Sequence, residues 1–113
     1  MTWQHQELAA GRWRQFSLVE QMAHVGSEVE RALTWRAKHH PEYSVKACER
    51  ALELLDLTLD DPKHREHRGR FKEIARTREV FVDYFWGNNQ YGSSDALWRA
   101  YFSPFASAAS RHR

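Results

Sequence analysis

The sequence predicts an all-α fold, an antiparallel four-helix bundle with short connections, and three observations carry that reading. Apolar residues recur at three- and four-residue spacing through four separate segments. At about 100° per residue, each segment gathers them on one side of a helix. Only three prolines and five glycines occur in 113 residues, and β-branched residues are sparse, which favours helix over sheet. The segments are joined by short stretches of caps and breakers, and short links make successive helices run in opposite directions.

Residues 1–15 hold Trp3 and Trp13 among polar neighbours. They read as a loosely packed arm ahead of one helical domain, 16–113, with Trp13 expected to dock. Ser17-Leu18-Val19-Glu20 is a capping-box pattern and starts a helix running to about Lys38. Leu18, Val19, Met22, Val25, Val29 and Leu33 share its apolar face. Gly26 lies at the centre of that face, where glycine costs about 1 kcal/mol against alanine, so a close helix–helix approach is expected there. Trp35 points away from the stripe, and Lys38-His39-His40 suits the negative end of the helix dipole.

Pro41 suits the first turn of a second helix, running to Leu59. Its stripe is Ala47, Cys48, Ala51, Leu52, Leu55, Thr58 and Leu59, with Leu57 on the polar side. Cys48 reads as a small core residue. Asp60-Asp61-Pro62 ends this helix, and Lys63–Gly69 reads as an exposed basic link.

The third helix runs from about Arg70 to Trp86. Phe71, Ile74, Ala75, Phe81, Val82 and Phe85 fall in one arc, and Arg78 lands at its centre. A guanidinium cannot lose its charge there, so it needs an acid or a wet cleft. Glu30, at the edge of the first helix's stripe, is the expected partner in a structural ion pair; the alternative is a functional arginine facing a pocket. Gly87–Gly92 is turn chemistry. Ser93 or Ser94 caps the last helix, Asp95 sits in its first turn, and Leu97, Trp98, Tyr101, Phe102 and Phe105 give it an aromatic face. Pro104 is expected to break or bend it, and the tail from Ala106 to fray.

One cysteine excludes a disulfide framework and a cysteine zinc cluster, and fits a reducing, cytoplasmic setting. No apolar run approaches the roughly 20 residues of a membrane span, and the first fifteen residues lack a signal-peptide core. His39/His40 and His64/His67 have no acidic or thiol companions at metal-ligand spacing, so they read as solvated loop residues. No phosphate loop or hydrolase motif occurs. No metal and no cofactor are expected.

Charge is uneven. Lys63, Arg65, Arg68, Arg70, Lys72, Arg76 and Arg78 face only Glu66 and Glu73 within 63–78. The first six form a possible nucleic-acid patch, RNA being the expected ligand, against the simpler reading of a solvated face. Asp83, Tyr84, Asn88, Asn89 and Tyr91 crowd the end of the third helix and its loop, where a rigid helix holds polar side chains. With Arg78 they form the candidate ligand or partner site. The asparagines also suit left-handed turn positions. Trp35, Leu57 and Val80 lie off their helices' core faces and suggest a self-association surface.

Residues 17–38, 43–65 and 68–106 resemble a family of small prokaryotic all-helical proteins from which no function carries over. The third helix also resembles the signature segment of HEPN-type domains. There an arginine is followed about five residues on by a histidine and an aromatic. Arg78 takes the arginine position, Asp83 stands where the histidine would be, and Tyr84 or Phe85 follows; the ERALELL run of the second helix is similar too. That resemblance implies a small helical bundle, often dimeric, acting as a toxin–antitoxin component. Without the histidine it implies binding to RNA or a nucleotidyltransferase rather than ribonuclease activity. Three functions are therefore expected candidates. The first is a non-enzymatic interaction or scaffold module that self-associates, most simply as a dimer, with a possible further protein partner and no membrane. The second is the HEPN-like component. The third is a small-ligand binder or enzyme with a site near Arg78 and the Asn88–Tyr91 loop.

Overall fold

The computed structural model describes residues 6–111, with side chains from residue 10 onward. The chain is all-helical over that range, with no strand among the described residues. Six helices follow one another: α1 (Gln6–Trp13), α2 (Leu18–Ala37), α3 (Pro41–Leu59), α4 (Pro62–Arg65), α5 (Arg68–Phe85) and α6 (Asp95–Arg111). The four long ones lie where periodicity put them. The short α1 and α4 are additional. Trp3 lies outside the described residues. Among these helices none is long and apolar enough to cross a membrane.

Helix α2 is the spine. Ser17 accepts the Glu20 backbone N–H at 3.2 Å, and the Glu20 carboxylate accepts the Ser17 N–H at 3.0 Å, so the capping box forms. Met22, Val25, Val29, Ala32 and Leu33 are buried, and α2 packs on both α3 and α6. Between α2 and α3 the chain reverses at His39, whose φ of 64° is left-handed. Pro41 then opens α3 at its first turn, where its missing N–H costs nothing. Ser44 on α3 donates to the Ala32 carbonyl at 2.8 Å and pins the two helices together.

The contact expected at Gly26 is with α6. A Cβ built there would lie 2.8 Å from the Phe102 Cβ, an atom fixed to its backbone. Gly26→Ala is therefore expected to destabilise by about 1–2 kcal/mol, overpacking outweighing the gain in helix propensity. Urea denaturation with an unchanged m-value checks it; a stabilised variant would place α6 farther from α2.

Helix α5 buries Ile74, Thr77 and Phe81 and packs on α3. It reaches α6 through rings: Trp98 stands 5.8 Å from Phe81 and 6.4 Å from Tyr84, and the Thr77 and Tyr101 hydroxyls lie 2.9 Å apart. A cleft of about 360 Å³ is left between the two helices, walled by Thr77, Val80, Leu97, Trp98 and Tyr101.

Three sequence expectations change. Pro104 does not end α6, which continues to Arg111 with Ala109 buried. The proline removes one backbone donor on an exposed face, where water can satisfy the freed Ala100 carbonyl. Leu57 is buried in the core cluster rather than exposed, because α3 packs against α2, α5, α4 and α1 and so has more than one covered face. Trp35 and Val80 are half-buried: Trp35 meets His40 edge-on and Tyr43 at a tilt, and Val80 faces the α5–α6 cleft. The three do not form one surface.

Candidate functional site

The polar end of α5 resolves into three separate groups. In the first, Asp83 organises the loop. Its carboxylate accepts the backbone N–H groups of Gln90 at 2.9 Å and Tyr91 at 3.1 Å, and its carbonyl accepts those of Gly87 and Asn89. Asn89 (φ 53°) and Gly92 (φ 66°) take the left-handed positions. The Asn89 amide donates to the Ser93 carbonyl and accepts the Ser93 N–H, closing the turn. Asn88 is exposed.

The second group is Tyr84 with Arg36 and Asp95, neither of which the sequence places in a candidate site. Its hydroxyl donates to Asp95 and accepts from Arg36, which also reaches Asp95 at 2.6 Å. The guanidinium lies 5.3 Å from the Tyr84 and Phe85 ring centres. Burial, and then the bond to Asp95, push the Tyr84 hydroxyl above the usual phenol range. Arg36 sits at the negative end of α2 and Asp95 at the positive end of α6, so both dipoles favour the pair. Dipole logic alone could have found each residue, though not the contact. The third group is Tyr91, which donates to Glu79 at 2.7 Å under the Arg76 guanidinium, 4.5 Å from the ring centre.

Arg78 belongs to none of these. It pairs with Asp56 at 2.5 Å, while Glu30 pairs with Arg99 at 2.9 Å, so the expected Glu30–Arg78 bridge does not form. The reason is placement: α5 packs on α3, and α2 turns its Glu30 edge toward α6. Ile74, Thr77 and Phe81 set the buried face of α5, which turns Arg78 to the partly exposed α3 seam. Arg78→Met is expected to change stability by less than about 1 kcal/mol, as for other exposed pairs. A thermal melt shifted downward by more than about 8 °C would contradict it.

The basic link is not uniformly exposed. His64 and Asp61 are buried with Gln21. The Gln21 amide nitrogen donates to the Trp13 carbonyl and to Asp61, both at 2.9 Å. Its oxygen therefore accepts from His64 Nε2, at 2.5 Å. That fixes the tautomer: Nε2 carries the hydrogen and Nδ1, buried without a partner, is bare. Lys63 donates to Asp61 at 2.7 Å and to the Arg14 carbonyl at 2.8 Å, and Trp13 donates to Thr58 at 3.0 Å. This network ties α1, α2, α3 and α4 together. It corrects the reading of His64 as solvated, and it engages Lys63 structurally. One signal could have found it: Asp61-Pro62, read above as the end of the second helix, is also an N-cap and first-turn proline for α4.

Burial holds the His64 pKa below its ordinary 6.5. Burial pushes Asp61 up, but the Lys63 and Gln21 hydrogen bonds outweigh it, leaving the carboxyl below its ordinary 3.8. Protons therefore bind the unfolded chain better at both groups. The His64 contribution is full above about pH 6.5 and is lost as pH falls toward the depressed folded value; Asp61 adds a second loss below about 3.8. The melting midpoint is expected to be flat from pH 8 to 7 and to fall as pH drops below about 6.5. His64→Gln should flatten that fall. A midpoint that rises on acidification would refute the assignment.

Cys48 is buried, and burial pushes its thiol up to about 11, consistent with a packing role. Of the remaining basic residues, Arg65 pairs with Asp60 at 3.2 Å, Arg70 is half-buried, and Arg68, Lys72 and Arg76 are exposed. Among the described residues no group of three His, Cys, Asp or Glu side chains is placed to hold a metal. No family model, curated protein or solved structure matches the chain.

Proposed function

We propose that this protein is a non-enzymatic helical interaction module that self-associates as a dimer, on an antiparallel frame of α2, α3, α5 and α6. One observation carries the reading. Tyr43, Val45 and Trp86 are 49%, 48% and 47% exposed, and Val45 and Trp86 meet at one shallow hollow, completed by Arg36, Pro41, Ser44, Cys48 and Phe85. A half-exposed tryptophan beside an apolar hollow is the kind of anchor that dominates protein interfaces. Knob and hollow on one face are self-complementary under a twofold, which lets Trp86 of one copy meet the hollow of the other.

The polar groups support the same reading. Asp83, Tyr84, Asn89 and Arg78 are engaged with other parts of the chain. They hold a loop, a helix end and a helix seam rather than converging on one point where a substrate would sit.

Light scattering after size exclusion, across a concentration series, tests the proposal. A dimer mass is expected, with Val45→Glu and Trp86→Ala shifting it to monomer while circular dichroism stays helical. Val45 is exposed, so its variant keeps the test valid if Trp86→Ala weakens the fold through its Phe81 contact. A monomer at every concentration would remove the proposal.

A further inference from the structure

Helix α5 turns a cationic ridge to solvent. Arg68, Lys72 and Arg76 follow one another at four-residue intervals, so they form a stripe rising about 6 Å per step. Stepped around the helix, this stripe lies opposite the buried Ile74, Thr77 and Phe81. All three side chains are exposed. Arg68 and Lys72 make no salt bridge or hydrogen bond among the described residues, and Arg76 meets only the Tyr91 ring. Several other surface cations are paired, Arg14 and Arg65 with Asp60, Arg31 with Glu28, Arg36 with Asp95 and Arg99 with Glu30; Lys46 and Arg50 on α3 are exposed without a salt bridge among the described residues too, but they are two and not three in a row. Unpaired like charges in a row repel one another, so the ridge is a place where an anion with repeated charges gains the most.

The far end of the ridge narrows the partner. Tyr91 is 42% exposed and held in place by its hydroxyl bond to Glu79 and by Arg76 over its ring. It stands at the end of the stripe as a fixed aromatic plane stacked on a guanidinium. Glu79 and Asp83 continue the stripe, and both are engaged, with the Tyr91 hydroxyl and with the loop backbone. Glu66 and Glu73, the acids nearest in sequence, leave the 63–78 segment strongly positive.

We propose that this outer face of α5, ending at Tyr91, binds single-stranded nucleic acid. Arg68, Lys72 and Arg76 take successive backbone phosphates, and Tyr91 with Arg76 stacks one unpaired base. A duplex would offer phosphates and no free base for the ring. The proposal is independent of the dimer, whose surface lies at Val45 and Trp86.

The test is fluorescence anisotropy with fluorescein-labelled oligouridylate and oligodeoxythymidylate of 16 nucleotides, titrated with the full chain between 25 and 250 mM salt. Saturable binding is expected. The slope of log affinity against log salt should be about −2, from three phosphates at about −0.7 each. Arg68→Glu/Lys72→Glu should weaken binding at least tenfold with an unchanged melt. Tyr91→Ala should weaken it severalfold at an unchanged salt slope, and Tyr91→Phe, which keeps the ring under Arg76 but loses the Glu79 bond, should lose less than Tyr91→Ala. Absence of saturable binding at 25 mM salt overturns the proposal. So does a charge-reversed variant that binds like the parent. Equal competition by polyglutamate overturns it in favour of an acidic protein partner.

Discussion

Gln21→Leu is expected to destabilise the protein by roughly 2–4 kcal/mol, although leucine is close in size and more apolar. The glutamine is fully buried and makes three hydrogen bonds, to the Trp13 carbonyl, Asp61 and His64. Leucine would leave the imidazole N–H without a partner in a dry interior and take one bond each from the Trp13 carbonyl, which keeps the Phe16 N–H at 3.1 Å, and from a buried carboxylate. Each orphaned group costs about 1–3 kcal/mol. The transfer gain of the new apolar side chain does not offset one orphaned group and two weakened ones. Asp61 keeps Lys63, so that part of the penalty is the smallest. Chemical denaturation measures the loss. A change under about 1 kcal/mol would mean that water reaches the network and satisfies it. Because the network joins four helices, the same variant should loosen α1 first, and proteolysis near Trp13 should accelerate.

Phe81→Ala should destabilise by about 3–5 kcal/mol, the range for removing a buried phenyl ring. Phe81 is fully buried, and its ring centre lies within 6 Å of three others, Phe85, Trp86 and Trp98. It is also a bridge across the α5–α6 seam, where the helices meet through side chains. Its removal joins a new cavity to the existing cleft, so the wall at Trp98 should admit water. The expected readout is a lowered melting midpoint together with a red shift in tryptophan emission. A midpoint drop with unchanged emission would place the damage away from the seam.

The long helices were legible because their signals are local. The Ser17–Glu20 box, Pro41 after the histidines, and Asp95 after two serines mark ends through groups within a turn of one another. Gly26 was legible for a related reason: a helix centre that accepts glycine needs a neighbour, and Phe102 is there. The pairings were not legible. A helical wheel gives an angle about one axis and says nothing of which helix lies at that angle. Glu30 and Arg78 each sit at a stripe's edge or centre, yet one faces α6 and the other α3. The short α4 has no period to detect, and whether His64 is buried depends on Gln21, 43 positions away. Of the candidate site, the turn function of Asn89 followed from its chemistry. Asp83 did not: its capture of two backbone N–H groups appears only once the loop folds back over the helix end.

The packing of α6 has a consequence for the order in which the molecule assembles. Helices α2 and α3 are joined by a three-residue link and can pair while the rest of the chain is still being made. The last long helix instead returns to the first, with Arg99 meeting Glu30 across 69 positions of sequence. Its docking closes a large loop, an entropy cost that rises only slowly with length but that no earlier contact can defray. A nucleus at α2–α3 should therefore form in the rate-limiting step, with the docking of α6 completed after it. Substitutions at the Gly26–Phe102 contact should then speed unfolding far more than they slow folding. In native-state hydrogen exchange the amides of α6 should open as a unit ahead of those of α2.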